Sequence, residues 1–142
     1  MSRLHNIALT FAIATLAMHA LQFSTSSAEP EVDCNNAMST VEMNFCADRD
    51  FAAADAALNA AYQKALQGIP HFAMDSPFDA PRWEKALRQS QRAWVAFRDA
   101  ECKDHVAMFW TGGSGTTVAV LGCMTDKTKE RTREIEEAYS ER

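Results

Sequence analysis

The chain has 142 residues, of which 23% are charged and 47% are hydrophobic, and its net charge is −5. This length indicates one domain, and the acidic balance argues against a nucleic-acid-binding protein. Its four cysteines, Cys34, Cys46, Cys102 and Cys123, all follow an apolar N-terminal segment. Thiols that leave the cytosol usually pair, so we predict two disulfides rather than a metal site or a nucleophile.

The first 28 residues have the pattern of a signal peptide. Arg3 provides a positive start, an apolar run spans residues 7–21, and residues 26–28 (SSA) are small enough for cleavage. The run is short for a retained membrane anchor, which needs about 20 apolar residues. We therefore predict cleavage after residue 28 and a single periplasmic or secreted domain over residues 29–142. That domain has 13 Lys and Arg, because Arg3 is removed, against 19 Asp and Glu, a net charge of −6.

The first helix is predicted from about Thr40 to Gln67. Ser39 followed three residues later by Glu42 is a capping box, in which each residue satisfies a backbone N–H of the other. Small and apolar residues then recur at three- and four-residue steps, as on one face of a helix. Gly68 and the prolines that follow it predict the helix end and a loop that extends to Pro81.

A second helix is predicted from the first turn at Pro81 to about Phe109. Its apolar stripe places Trp94 and Phe97 in the core, because large aromatics dominate the burial of a small domain. Residues 112–115 (GGSG) predict a flexible loop, and residues 116–121 (TTVAVL) predict an extended segment.

A charged third helix is predicted from about Thr125 to Tyr139. The fold class is therefore all-α, an antiparallel two-helix hairpin with a shorter third helix, held by two disulfides. Cys46 lies 22 residues before Gly68, and Cys102 lies 20 residues after Arg82. The two thiols are thus at similar distances from the turn, and we favour Cys46–Cys102 with Cys34–Cys123. The sequential pairing, Cys34–Cys46 with Cys102–Cys123, stays open.

Two segments carry a family resemblance. One is D-x-x-L-N-x-x-Y from Asp55 to Tyr62, and the other is Q-x-x-W-x-x-F-R-D-x-x-C from Gln91 to Cys102. Together with the remaining cysteines and the Gly-Gly-Ser at 112–114, their order and spacing resemble the N-terminal domain family of the lysozyme inhibitor LprI. The resemblance covers nearly all of residues 29–142. It implies a helical, disulfide-bonded domain outside the cytoplasm, and inhibition of lysozyme.

Four residues are candidates for partner binding. Arg98 is expected to meet a carboxylate of the first helix, such as Asp55 or Asp50, in a polar network between the first two helices. A direct contact of Asp55 or Arg98 with a partner is the alternative role. Gly113 and Ser114 lie in the glycine loop, and exposed loops on a rigid scaffold commonly bind.

Catalytic, cofactor and metal sites are not predicted. The glycine loop lacks the lysine of a phosphate-binding loop and the second flanking glycine of a nucleophile elbow. Cys102 and His105 have ligand-like spacing, but an oxidising compartment favours pairing of the thiol. We therefore expect a binding protein rather than an enzyme, with a protein as its partner. The family resemblance points to a lysozyme as that partner, and the basic charge of a lysozyme would suit an acidic inhibitor. The alternative is a structural, interaction or stress-tolerance module of the cell envelope.

Overall fold

The computed structural model describes residues 32–140, in which helices are joined by two short loops and preceded by an arm. The elements are α1 (Thr40–Phe72), α2 (Ala80–Asp99), a π-helical segment (Ala100–Val106), α3 (Ala107–Trp110) and α4 (Thr116–Tyr139). No strand occurs in this part of the chain, and the all-α prediction is confirmed. None of its helices combines the length and the apolarity that a membrane span requires. The predicted signal peptide lies outside the described residues.

The predicted capping box begins α1. The Ser39 hydroxyl accepts a hydrogen bond from the Glu42 N–H at 3.2 Å, and the Glu42 carboxylate accepts one from the Ser39 N–H at 2.9 Å. The predicted end of this helix is wrong, since α1 continues five residues past Gln67. Ile69 is fully buried, and the Phe72 ring packs against two aromatic rings. This burial offsets the helix hydrogen bond that Pro70 cannot donate.

The second helical stretch is close to its prediction. Asp79 caps α2 by accepting a hydrogen bond from the Arg82 N–H at 3.0 Å, and Pro81 lies in the first turn as expected. The chain then stays helical through the π-helical segment and α3 to Trp110. The expected end near Phe109 is confirmed.

The extended segment predicted at residues 116–121 is wrong, because α4 begins at Thr116. Val118, Val120 and Leu121 are half-buried, and α4 packs mainly against α1. The β preference of such residues is weak, and packing of a helical face overrides it. The third helix therefore starts nine residues before Thr125.

The helix order can be followed from neighbouring side chains. Thr40 and Met43 line one groove with Val118, whereas Ala61 lines another with Ile135 near the far end of α4. α1 and α4 are therefore parallel, and α2 returns antiparallel between their ends. The buried core consists of Leu58, Ala61, Ala65, Leu66, Ile69, Leu87 and Ile135.

Aromatic residues of α2 behave in two ways. Trp83 donates from Nε1 to the Tyr139 hydroxyl at 2.9 Å, and Trp94 packs half-buried against the core. The prediction that Phe97 lies in the core is wrong, since its side chain is 56% exposed. Its ring faces the Lys127 ammonium, 5.0 Å from the ring centroid. The neighbouring Arg98 takes the inward position at this level of the helix.

Two disulfides are formed, and their connectivity corrects the pairing that we favoured. The bonds are Cys34–Cys46 and Cys102–Cys123, so the sequential alternative is confirmed. The first ties the arm to α1, and the second ties the π-helical segment to α4. Because α1 packs chiefly on α4 rather than on α2, Cys102 meets α4 and not Cys46.

Candidate functional site

A buried arginine joins the three long helices. The Arg98 Nε donates to Asp99 at 3.0 Å, and Nη1 donates to Asp55 of α1 at 3.3 Å and to the Thr128 hydroxyl of α4 at 3.2 Å. Only 6% of Arg98 is exposed. A buried cation is stable where carboxylates and hydroxyls satisfy its donors, and this network does so.

Two aromatic rings complete the arginine site. The Arg98 Cζ atom lies 5.3 Å from the ring centroids of Phe51 and Trp94. Rings at this distance stabilise a guanidinium by cation–π attraction. The rings come from α1 and α2, so the stacking adds a second connection between these helices.

The predicted network between Asp55 and Arg98 is thus present. Asp55 also accepts a hydrogen bond from Asn59 one turn later, at 3.0 Å. The Asp55 side chain is 42% exposed, whereas that of Arg98 is 8% exposed. Of the two, only the Asp55 carboxylate is open to a partner, and its role in binding stays a prediction.

The carboxylate of Asp99 is held ionised beside Arg98. Partial burial by itself raises the pKa of Asp99, but hydrogen bonds from Lys103 and Arg98 outweigh it and lower the pKa below its ordinary value of 3.8. The Lys103 ammonium lies 2.8 Å from one carboxylate oxygen. Both donors favour the charged form, as expected for a carboxylate between two cations.

This depressed pKa predicts a loss of stability in acid. The contribution of Asp99 is complete above pH 3.8 and disappears as the pH falls through its lower value in the folded protein. We expect Asp99→Asn to cost on the order of 1 kcal/mol at pH 7 and to flatten the fall in stability below pH 4. Urea unfolding at several pH values measures both the loss of stability at pH 7 and the change in stability below pH 4. An unchanged acid profile in the variant would contradict the assignment.

The glycine loop is a tight turn between α3 and α4. Thr111 and Gly112 adopt positive φ angles of 47° and 73°, and the Gly113 N–H donates to the Trp110 carbonyl at 2.8 Å. A Cβ atom at Gly115 would lie 2.5 Å from the Trp110 ring, so glycine is required there for the ring to pack on the backbone. Gly113 and Ser114 are exposed at the turn.

An apolar surface surrounds this turn. A groove of about 270 Å³ is lined by Thr40, Met43, Trp110, Ser114, Gly115, Val118 and Ala119. Large apolar side chains are exposed in the same two segments, namely Met38 (87%), Val41 (79%), Met108 (72%), Phe109 (73%) and Trp110 (48%). We call residues 38–43 and 108–119 the tip surface. Grouped exposed apolar residues of this kind mark interaction surfaces.

Sequence reasoning found only part of the tip surface. It identified Gly113 and Ser114, but it assigned no role to the run Met108-Phe109-Trp110. The usable signal was the position of this run. Three large apolar residues that end a helix, one residue before Gly112-Gly113, have no further helical turn to cover them. The run at 38–41 was likewise treated only as the approach to a helix cap.

The thiol of Cys102, which was considered as a zinc ligand, forms a disulfide instead. Cys102 is bonded to Cys123, and the nearby His105 instead lies 3.5 Å from Glu101. Among residues 32–140 no three metal-binding side chains are grouped.

Comparison with known proteins shows the family to which this chain belongs. The family model described as lysozyme inhibitor LprI matches residues 33–135, which include both disulfides, the arginine network and the tip surface. The chain belongs to the LprI family. It is also 38% identical over 113 residues to an uncharacterised protein of Rhizobium meliloti (strain 1021), covering 77% of this chain and 80% of that one. No solved structure matches the chain.

The LprI match gives a family-level context for the four candidate residues. All four lie within the matched range. The structure places Asp55 and Arg98 together in the interior network and Gly113 and Ser114 together at the tip surface, so these residues form two separate groups.

Proposed function

We propose that this chain, after removal of residues 1–28, is an exported helical protein that binds and inhibits a lysozyme. The observation that carries the proposal is the LprI family match over residues 33–135. The disulfides support a location outside the cytosol, because the cytosol keeps thiols reduced. In this role the chain is a binding protein without catalytic activity of its own.

The surface and charge of the domain suit this role. Residues 29–142 have a net charge of −6, and an acidic inhibitor is attracted to a basic enzyme before contact. The Asp55–Arg98–Thr128 network fixes the helices, so that a partner meets a preformed surface. Preformed surfaces lose less conformational entropy on binding.

Titration of oxidised residues 29–142 into a lysozyme assay tests the proposal. We expect the lytic rate on cell walls to fall as the domain is added and to reach its minimum near one inhibitor per enzyme. A soluble oligosaccharide substrate should show the same loss. Because an acidic protein can also disturb lysis by binding the enzyme non-specifically, an unrelated acidic protein of similar size and charge serves as the control. Full lysozyme activity at excess domain with both substrates contradicts inhibition.

An envelope interaction module that does not affect lysozyme is the second candidate. It is favoured by a separate apolar patch in the loop before α2, where Met74 is 69% exposed and Phe78 is 62% exposed. Affinity capture from envelope extract with the same domain distinguishes the two candidates. Recovery of another protein, together with full lysozyme activity, supports the module.

A further inference from the structure

The arginine network divides the described chain into two halves of unlike charge. The tip half, residues 32–54 and 99–127, has eight acidic and three basic residues, a net charge of −5. The basal half, residues 55–98 and 128–140, has eight acidic and nine basic residues, a net charge of +1. The negative charge of the domain is therefore concentrated on the side that carries the tip surface.

Each of the three basic side chains of the tip half already has a partner. Arg49 lies 3.4 Å from Asp50, Lys103 lies 2.8 Å from Asp99, and Lys127 faces the ring of Phe97. These contacts neutralise little of the surrounding field, because five acidic residues are in excess. Asp33, Asp48 and Asp104 are exposed in the tip half, and Asp104 lies four residues before Met108 in the same helical stretch.

The structure assigns partner binding to the tip surface, and the partner to a cationic protein with an apolar recess. This inference rests on the proposed function and adds to it the face and the chemistry of the contact. Interfaces of high affinity combine a desolvated apolar centre with a charged rim that is complementary to the partner. Met108 and Phe109 supply such a centre, and the acidic residues around them supply the rim.

The exposure of the apolar residues supports a protein partner. Phe109 is 73% exposed, and its ring contacts that of His105, with ring centroids 5.1 Å apart. Such a ring at the end of a rigid helix can enter a recess with little loss of conformational freedom. An acidic surface also disfavours anionic lipids and nucleic acids, since both repel it.

Two matched pairs of variants test the inference in the full domain. Met108→Ser with Phe109→Ser removes the apolar centre, and Met74→Ser with Phe78→Ser makes the same change at the other end of the molecule. We expect the first pair to raise the Kd for a basic lysozyme at least about 30-fold and the control pair to leave it within about twofold. Binding is measured by calorimetry and inhibition by the lytic assay, with folding checked by circular dichroism.

Charge reversal tests the rim. Asp48→Lys with Asp104→Lys should weaken binding about tenfold at low salt and reduce its salt dependence, whereas Glu130→Lys with Glu136→Lys in the basal half should have a smaller effect. Succinylated lysozyme, which has lost its lysine cations, should bind poorly to the unmodified domain.

The outcomes separate the inference from the function on which it rests. If the unmodified domain inhibits lysozyme and the tip variants inhibit equally well, the surface assignment is wrong and the proposed function stands. If the unmodified domain neither binds nor inhibits lysozyme, both fall. Loss of binding in the tip variants alone, with folding intact, supports both.

Discussion

Arg98→Met should lower the free energy of unfolding by about 2–4 kcal/mol. Methionine replaces the aliphatic part of the side chain, but Asp55, Asp99 and the buried Thr128 hydroxyl each lose a hydrogen-bond donor. Breaking a buried ion pair from one side usually costs 3–5 kcal/mol. The expected cost here is lower, since water can reach both carboxylates, whose side chains are 42% and 33% exposed.

Urea unfolding of three variants checks this prediction. Arg98→Lys keeps the charge but loses the planar group that lies between two rings and donates to three residues, so an intermediate loss is expected. Arg92→Met is the matched control, because Arg92 lies on the exposed face of the same helix. Its stability should change by less than about 0.5 kcal/mol. An Arg98→Met protein as stable as the unmodified one would show that apolar packing replaces the network.

Local sequence signals predicted the beginnings of α1 and α2 well. Ser39 and Glu42 formed the expected capping box, and Pro81 lies in the first turn of α2. These signals depend on residues within one turn of each other, so the chain determines them without long-range contacts. The helical periodicity and the Asp55–Arg98 contact were also predicted, because helix faces and charge pairing follow from spacing.

Signals that depend on tertiary packing failed. Gly68 and Pro70 are helix-ending residues, yet α1 continues because Ile69 is buried between them and the Phe72 ring packs beyond them. The β preference of residues 116–121 was overridden by packing of α4 on α1. Phe97 was expected in the core, but the inward position is held by Arg98, and a periodic stripe does not reveal which neighbour is buried.

The disulfide connectivity and the tip surface share one reason for being missed. The pairing that we favoured assumed that α2 is the main neighbour of α1, whereas α4 is. The same arrangement brings the start of α4 beside the start of α1 and creates the groove between Met43 and Trp110. Neither the disulfide pairing nor the groove can be predicted from spacing along the chain, because both depend on the direction in which α4 packs against α1.

Removal of the Cys102–Cys123 disulfide should lower the free energy of unfolding by about 3 kcal/mol. The bond closes a loop between residues 21 apart, and restriction of the unfolded chain by such a loop gives this magnitude. Cys102 is fully buried, so its replacement by alanine also leaves a small cavity. Loss of this bridge frees the π-helical segment from α4, beside the tip surface.

The Cys34–Cys46 disulfide provides the comparison. Its ends are 12 residues apart, and loop length alone predicts a difference of only about 0.5 kcal/mol between the bridges. We expect the two losses to differ by more than this, with the smaller loss for Cys34–Cys46, because this bond holds only the arm that precedes α1. Without the bond the arm can detach while the helical bundle stays folded. The two double-alanine variants, Cys34→Ala/Cys46→Ala and Cys102→Ala/Cys123→Ala, are compared by urea unfolding. Equal losses would mean that the arm is part of the cooperative unit and that its detachment unfolds α1.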